Sequence, residues 1–163
     1  MIDDINEISR TIVHEAGHAT VGVLLFPDEI VWVSAIPNPS SLGRALTTVT
    51  LEMVVRYPTE RFIDYLAFLF AGRAAEENRF SNYKDWMSRH DEQSAHEALH
   101  QYRAMHPKLL HNDQDLTTQA RQRAHEILVR EQSLFHTLTS GLVRYDQFGQ
   151  EWLLYNYYLF ATT

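Results

Sequence analysis

Residues 5–26 constrain the fold more than any other part of the chain, because they are predicted to form one long helix without a polar side. Apolar residues recur at almost every angle around its axis, and such a helix has to be surrounded by other elements. His14, Glu15 and His18 nevertheless stand in its middle. Burying these polar groups is costly unless hydrogen bonds or a metal ion compensate it. The sequence therefore predicts a core helix that carries a polar site.

The rest of the chain is predicted to be mainly α, a helical array with one small two-stranded β-ribbon. β-Branched runs at 30–36 and 45–51 flank a loop rich in Pro and Ser, which is typical of such a ribbon, and we expect no other sheet. The apolar patterns and breakers predict further helices over 58–80, 91–105, 113–131 and 133–144, with a short piece from Phe148 onward.

Charge and residue usage exclude several classes of function. The 14 Lys and Arg stand against 21 Asp and Glu, a formal net charge of −7, and no basic cluster offsets it, so we expect no nucleic-acid partner. The absence of cysteine excludes disulfides, thiolate metal ligands and cysteine nucleophiles. A transition-metal site would therefore use imidazole and carboxylate, and nine histidines are available.

Length and apolar patterning predict one domain, 1–163, that does not enter a membrane. The chain has no internal repeat or linker. Its longest apolar stretches are shorter than the ~20 residues that a spanning helix needs. Its start is acidic and leads into no apolar secretory core. We expect a soluble protein with a cytoplasmic location.

The core helix contains the motif His14-Glu15-Ala16-Gly17-His18. Residues four apart on a helix are separated by only about 40° around the axis, so both imidazoles can reach one Zn²⁺ ion. Glu15 stands beside them, where it can activate a metal-bound water. This spacing predicts a zinc peptidase in which His14 and His18 are metal ligands and Glu15 is the catalytic base.

A second match to the same pattern, His96-Glu97-Ala98-Leu99-His100, has to be weighed against the first. Around the helix axis, and counted from Asp91 at 0°, the apolar residues lie within about 80° of Asp91. His96 and His100 lie at about 140° and 180°, on the opposite side. The second pair is therefore predicted to face solvent, and the first match is preferred.

Asp91 is the candidate for the third ligand that a catalytic zinc needs. It lies in the apolar stripe of its helix, where an unpaired carboxylate would be expensive to bury. The alternative is that Asp91 is only the N-cap of the 91–105 helix. Glu76 likewise falls among apolar residues of the second helix. It would accept a hydrogen bond from the outer nitrogen of a zinc-bound histidine, unless it is a surface residue at a frayed helix end.

Taken together, these motifs resemble the protease domain of the membrane-anchored, ATP-dependent zinc proteases of the FtsH type, peptidase family M41. The resemblance covers roughly residues 9–153. It rests on three segments, which are His14-Glu15-Ala16-Gly17-His18-Ala19, Gly43-Arg44-Ala45-Leu46 and Ala71-Gly72-Arg73-Ala74-Ala75-Glu76-Glu77.

This resemblance implies a mostly helical domain with a small ribbon, in which zinc is bound by His14, His18 and Asp91. It also implies Glu15 as the base and Glu76 as the residue behind the ligands. The chain departs from the family before Asp91, where residues 85–90 replace a Thr-Gly-Ala-like run, and it shows no ATPase module or membrane anchor. A separate ATPase or adaptor protein, and a homo-oligomer, stay open as partners.

The expected activity is hydrolysis of peptide bonds in unfolded polypeptides or short peptides. A substrate strand could pair with the exposed edge of the Val31–Leu51 ribbon, although that ribbon could equally be only structural. The alternative function is a non-catalytic, zinc-stabilised binding or regulatory module. The aromatic tail around Trp152 and Tyr158 would serve such a module as a binding surface, or it closes the core.

Overall fold

A computed structural model of the chain describes residues 2–37 and 43–161, and the side chains of 7–37 and 43–160. The fold class is mainly α, as predicted, with a small antiparallel sheet. In chain order the described elements are α1 (Ile2–Leu25), β1 (Ile30–Ser34), β2 (Arg44–Thr47), α2 (Leu51–Val54), α3 (Thr59–Phe80), α4 (Asp85–Met105), α5 (Asp113–Arg130), α6 (Gln132–Tyr145), β3 (Gln147–Gly149) and α7 (Gln150–Ala161).

Helices α1 and α3 form the centre of the molecule. They approach closely because small residues face each other: a Cβ atom added to Gly17 would lie 2.6 Å from the Cβ of Ala75. Helix α5 packs on α3, and α6 packs on α1. The fully buried residues Ala16, Ala19 and Val21 come from α1. The helix predicted to be surrounded is therefore buried in the core.

The sheet has three strands in the order β2-β1-β3, all antiparallel to their neighbours. The prediction of a two-stranded ribbon as the only sheet element was therefore incomplete. Strand β3 is too short to show a period-two pattern, and Phe148 and Gly149 fall at the start of the last predicted helix. It reaches β1 because Asp146, with φ of 60°, turns the chain after α6. Phe148 then pairs with Val33 and becomes buried.

The second strand is also shorter than predicted. It ends at Thr47, and Thr50 caps the short helix α2 by accepting a hydrogen bond from the Met53 backbone N–H. The Pro- and Ser-rich loop of the predicted ribbon falls mostly on 38–42, outside the described residues. Strand β2 lies at one edge of the described sheet, with β1 on its other side.

Helix α4 begins at Asp85, six residues before the predicted start. Residues 85–90 are polar apart from the exposed Trp86 and the half-buried Met87, so they carry no apolar period that could have extended the prediction. Its N-cap is Lys84, and Asp91 lies inside the helix. The alternative that Asp91 is an N-cap is therefore wrong.

The C-terminal helix α7 closes the core on one side and exposes aromatic residues on the other. Leu153 is fully buried, and the Trp152 ring stacks on Phe148 with centroids 4.4 Å apart. Tyr155 and Tyr158 are 65% and 55% exposed. The prediction that the tail closes the core therefore holds for its inner face, and the binding surface on its outer face stays a prediction. No helix within 2–37 and 43–161 is long and apolar enough to cross a bilayer.

Candidate metal centre

Helix α1 places the first pair of histidines on one face, one turn apart. The Nε2 atoms of His14 and His18 are 3.1 Å from each other, and each residue is only 4% exposed. Helix α3 covers this face, since the ring of His18 contacts Phe68 with centroids 5.4 Å apart. The two imidazoles are therefore held together in the core, as the spacing of four residues predicts.

Helix α4 brings Asp91 to the same point. Its Oδ2 atom lies 3.1 Å from Nε2 of His14 and 3.2 Å from Nε2 of His18. Tetrahedral zinc with bonds of ~2.0–2.1 Å separates its ligand atoms by about 3.3 Å, so the three atoms form a triangle close to the required size. Among the described residues, these three form the one group of His, Asp or Glu found to converge closely enough for a metal ion.

The hydrogen bonds of the two Nδ1 atoms determine which nitrogen of each neutral ring carries the proton. Nδ1 of His18 is 2.8 Å from the carbonyl oxygen of Phe68, which only accepts, so this nitrogen carries the proton. Nδ1 of His14 likewise donates to Oε1 of Glu76 at 2.9 Å. When both rings are neutral, two Nε2 lone pairs face one carboxylate oxygen. Such a cluster of acceptors needs a cation, and this donor set fits Zn²⁺.

Glu76 is fully buried on α3, so the alternative of a surface residue at a frayed helix end is wrong. Its Oε1 accepts the His14 Nδ1–H, which is the contact expected of a residue behind a metal ligand. Its Oε2 accepts from the Arg10 guanidinium at 3.3 Å and from the Lys84 backbone N–H at 3.2 Å. The role of Glu76 behind a bound metal stays a prediction.

Charge and burial shift the titration of this cluster in the metal-free chain. Burial alone would lower the pKa of His14, but its hydrogen bonds to Asp91 and Glu76 and the charge of Glu15 outweigh it and raise the pKa from 6.5 to about 10. Burial alone would raise the pKa of Asp91, and the two histidines outweigh it and lower that pKa instead. A proton on His14 therefore takes the position that a metal ion would occupy.

Glu15 stands beside the histidines but makes different contacts. It is 6% exposed, and its Oε2 atom has no hydrogen-bond partner among the described residues. Burial raises the pKa of its carboxyl group. A buried carboxylate with a free oxygen can accept a proton, which is what a general base requires.

Three residues that contact this centre received no role at the site from the sequence, although Gly43 and Gly72 belong to the segments that resemble the M41 family. Arg10 contacts Glu76 from α1, Gly43 lies against Glu15, and Gly72 lies against the ring of His14. Arg10 could have been found, because it lies one turn before His14 on a helix that is otherwise apolar at its centre. The contacts of the two glycines depend on how separate elements cross.

The second histidine pair lies on the outer face of α4. His96 and His100 are exposed, while Ala98 and Leu99 between them are buried. The prediction that this pair faces solvent is confirmed. The two matches to the same pattern thus differ in their surroundings rather than in their spacing.

Comparison with models of protein families gives no match to this chain, and comparison with curated proteins finds no significant relative. The resemblance to the M41 proteases therefore stays a prediction.

Proposed function

We propose that this protein is a zinc-dependent endopeptidase that uses His14, His18 and Asp91 as metal ligands and Glu15 as its base. One observation carries the proposal: three atoms of His14, His18 and Asp91 converge within 3.2 Å of one another, next to the buried Glu15 carboxylate, one oxygen of which has no hydrogen-bond partner among the described residues. A structural zinc site would need a fourth protein ligand, whereas a catalytic one keeps a position open.

The chemistry divides between the metal and the protein. Zinc bound here would act as a Lewis acid, lowering the pKa of water towards ~7 and polarising a carbonyl group. His14 and His18 would hold zinc through Nε2 as neutral rings, since Glu76 and the Phe68 carbonyl keep the one remaining ring proton on Nδ1. Glu15 accepts the proton of the attacking water and passes it to the leaving amine.

The substrate we propose is an extended polypeptide, either an unfolded chain or a short peptide. The His14, Glu15 and His18 side chains are each at most 6% exposed, so a folded surface could not reach them. Gly43 contacts Glu15 and directly precedes the edge strand β2. A peptide that pairs with β2 would therefore pass beside the base, and backbone pairing would make its recognition tolerant of sequence.

Strand pairing is tested at Thr47. The Thr48 N–H donates inward to the Glu29 carbonyl at 2.8 Å, and alternation along a strand therefore directs the Thr47 N–H to the outer edge of the described sheet. Thr47→Pro should lower peptide turnover at least tenfold with zinc content unchanged. Thr47→Val is the matched control, because it removes the hydroxyl and keeps the N–H. Equal turnover by both variants would exclude pairing at β2.

The activity itself is tested with Glu15→Gln, which keeps the shape of the side chain and removes its basicity. We expect this variant to keep one zinc per chain by mass spectrometry and to lose hydrolysis of an unfolded casein-type substrate by at least a hundredfold. A wild-type protein that binds zinc and hydrolyses no peptide would refute the proposal.

That last outcome would favour a second candidate, a non-catalytic zinc-stabilised binding or regulatory module. The exposed Tyr155 and Tyr158 on α7 favour it, because a single helix face presents both rings to solvent away from the core. In that case zinc removal should lower thermal stability while no variant of Glu15 has a functional effect.

A further inference from the structure

Arg10 is the buried cation next to the candidate metal centre. It is 8% exposed and lies one turn before His14 on α1. Its Nη1 is 3.3 Å from Oε2 of Glu76, and its Nη2 donates to Oδ1 of Asn82 at 2.7 Å. The guanidinium also lies 4.4 Å from the centre of the Phe80 ring. These contacts hold Arg10 in one position on three sides.

Glu76 depends on this arginine more than an exposed carboxylate would. It is fully buried, and a buried charge is expensive unless it is both paired and hydrogen-bonded. Of the described groups that contact its two oxygens, Arg10 alone carries a permanent positive charge, since the others are the His14 ring and the Lys84 backbone. Without Arg10 the buried carboxylate would lose its one permanently charged partner among the described groups and would be held by the His14 ring and the Lys84 N–H alone.

The same contacts connect the elements that supply the ligands. Arg10 is on α1 with His14 and His18, and Glu76 is on α3. Asn82 and Lys84, which bind Arg10 and Glu76, lie in the connection just before α4, the helix of Asp91. The Arg10–Glu76 pair therefore joins α1 and α3 to the start of the helix that carries the third ligand.

We propose that Arg10 is a positioning residue of the metal centre, which holds Glu76 so that the His14 ring keeps its Nε2 directed at Asp91 and His18. This inference rests on the metal site of the proposed function and not on catalysis. Outer partners of metal ligands affect metal affinity by ~10–100-fold. Arg10 acts through such a partner, Glu76, and should therefore contribute about tenfold to the zinc affinity.

The test measures zinc affinity of the full chain by competition with a chromogenic chelator. Arg10→Met should raise the dissociation constant about tenfold. Arg79→Met is the matched control, since Arg79 is exposed at the end of α3 and its loss changes the net charge equally. The dissociation constant of Arg10→Lys should lie between those of the wild type and Arg10→Met, because the ammonium group keeps the charge but lacks the planar, two-pronged donor geometry of a guanidinium. A dissociation constant for folded Arg10→Met within twofold of wild type would overturn the proposal.

Two further measurements separate positioning from a merely structural role. In a Glu76→Gln background, Arg10→Met should have little further effect on zinc affinity, because Arg10 acts through the Glu76 carboxylate. Full additivity of the two losses would contradict this. If Arg10→Met does not fold, Arg10→Lys decides, and wild-type affinity in that variant overturns the proposal. A wild type that binds zinc but cleaves nothing would refute only the peptidase, since no readout here is hydrolysis.

Discussion

Gly72 on α3 packs against the imidazole of His14 on α1 so closely that a Cβ atom at position 72 would overlap the ring. The two residues are fifty-eight positions apart, and their contact fixes where the His14 ring of the candidate site lies. The neighbouring contact of Gly43 with Glu15 likewise fixes where the Glu15 carboxylate lies. Backbone without side chains thus forms part of the walls around the candidate site.

Gly72→Ala is expected to abolish tight zinc binding. The added methyl group has to displace the His14 ring, and a misplaced ligand loses much of its affinity. We expect a loss of at least a hundredfold in chelator competition. Gly149→Ala is the control, because the nearest atom to its added Cβ is the Val31 carbonyl oxygen at 3.9 Å. Unchanged zinc affinity of Gly72→Ala would show that the His14 ring is not held as described.

Gly43→Ala should impair catalysis without removing the metal. Its Cβ atom would lie 2.6 Å from Cγ and 2.7 Å from Oε1 of Glu15, so the carboxylate has to move. A displacement of a catalytic group by about 1 Å can cost ~100-fold. We expect kcat on an unfolded substrate to fall ten- to a hundredfold and zinc affinity to change less than threefold. Loss of zinc in this variant would contradict the assignment of Glu15 to the base.

Asp91→Ala should bind zinc at least a hundredfold more weakly than the wild-type protein. The variant removes one of three protein ligands and leaves two imidazoles, which hold the metal less well. His96→Ala on the exposed face of the same helix serves as control and should bind zinc normally. Metal content by mass spectrometry after dialysis gives the answer. Wild-type retention of zinc in Asp91→Ala would refute the third ligand.

The metal-free protein should become less stable as the pH rises above neutrality. The pKa of His14 is raised from 6.5 to about 10 in the fold, mainly by Asp91 and Glu76 acting against burial. The folded state thus binds a proton more tightly than the unfolded state. The stabilisation that this proton gives the folded state is fully present below pH 6.5 and is lost as the pH rises towards 10.

Urea unfolding of chelator-treated protein checks this. The free energy of unfolding should fall by something on the order of 3 kcal/mol between pH 6 and pH 9. His14→Gln should flatten the dependence, because it removes the group that titrates. A stability of the wild type that stays level or rises over this range would contradict the proton on His14.

The sequence predicts those features of the candidate site that depend on a single helix. The spacing of His14 and His18 predicts that they share a face of α1, and the position of Asp91 among the apolar residues of its helix predicts that it points inward. Both follow from the fixed angle per residue of an α-helix. The same fixed angle places the pair His96 and His100 on the outer face of α4, where both are exposed, whereas His14 and His18 are buried.

Sequence reasoning failed where short elements depend on their neighbours. Strand β3 has three residues, too few for a periodic pattern, and it exists because Phe148 completes the sheet beside Val33. The first turns of α4 likewise have no apolar stripe of their own. Tertiary packing determines such segments more than local propensity does.

By itself, the amino-acid sequence determined the central helix, the mainly α class and the three candidate ligands, because periodicity is a property of single elements. Only the tertiary structure decided that Arg10 reaches Glu76, that Gly72 meets His14 and that Gly43 meets Glu15. These contacts join residues many positions apart. They depend on how α1 crosses α3 and where the sheet lies, which are outcomes of packing the whole core.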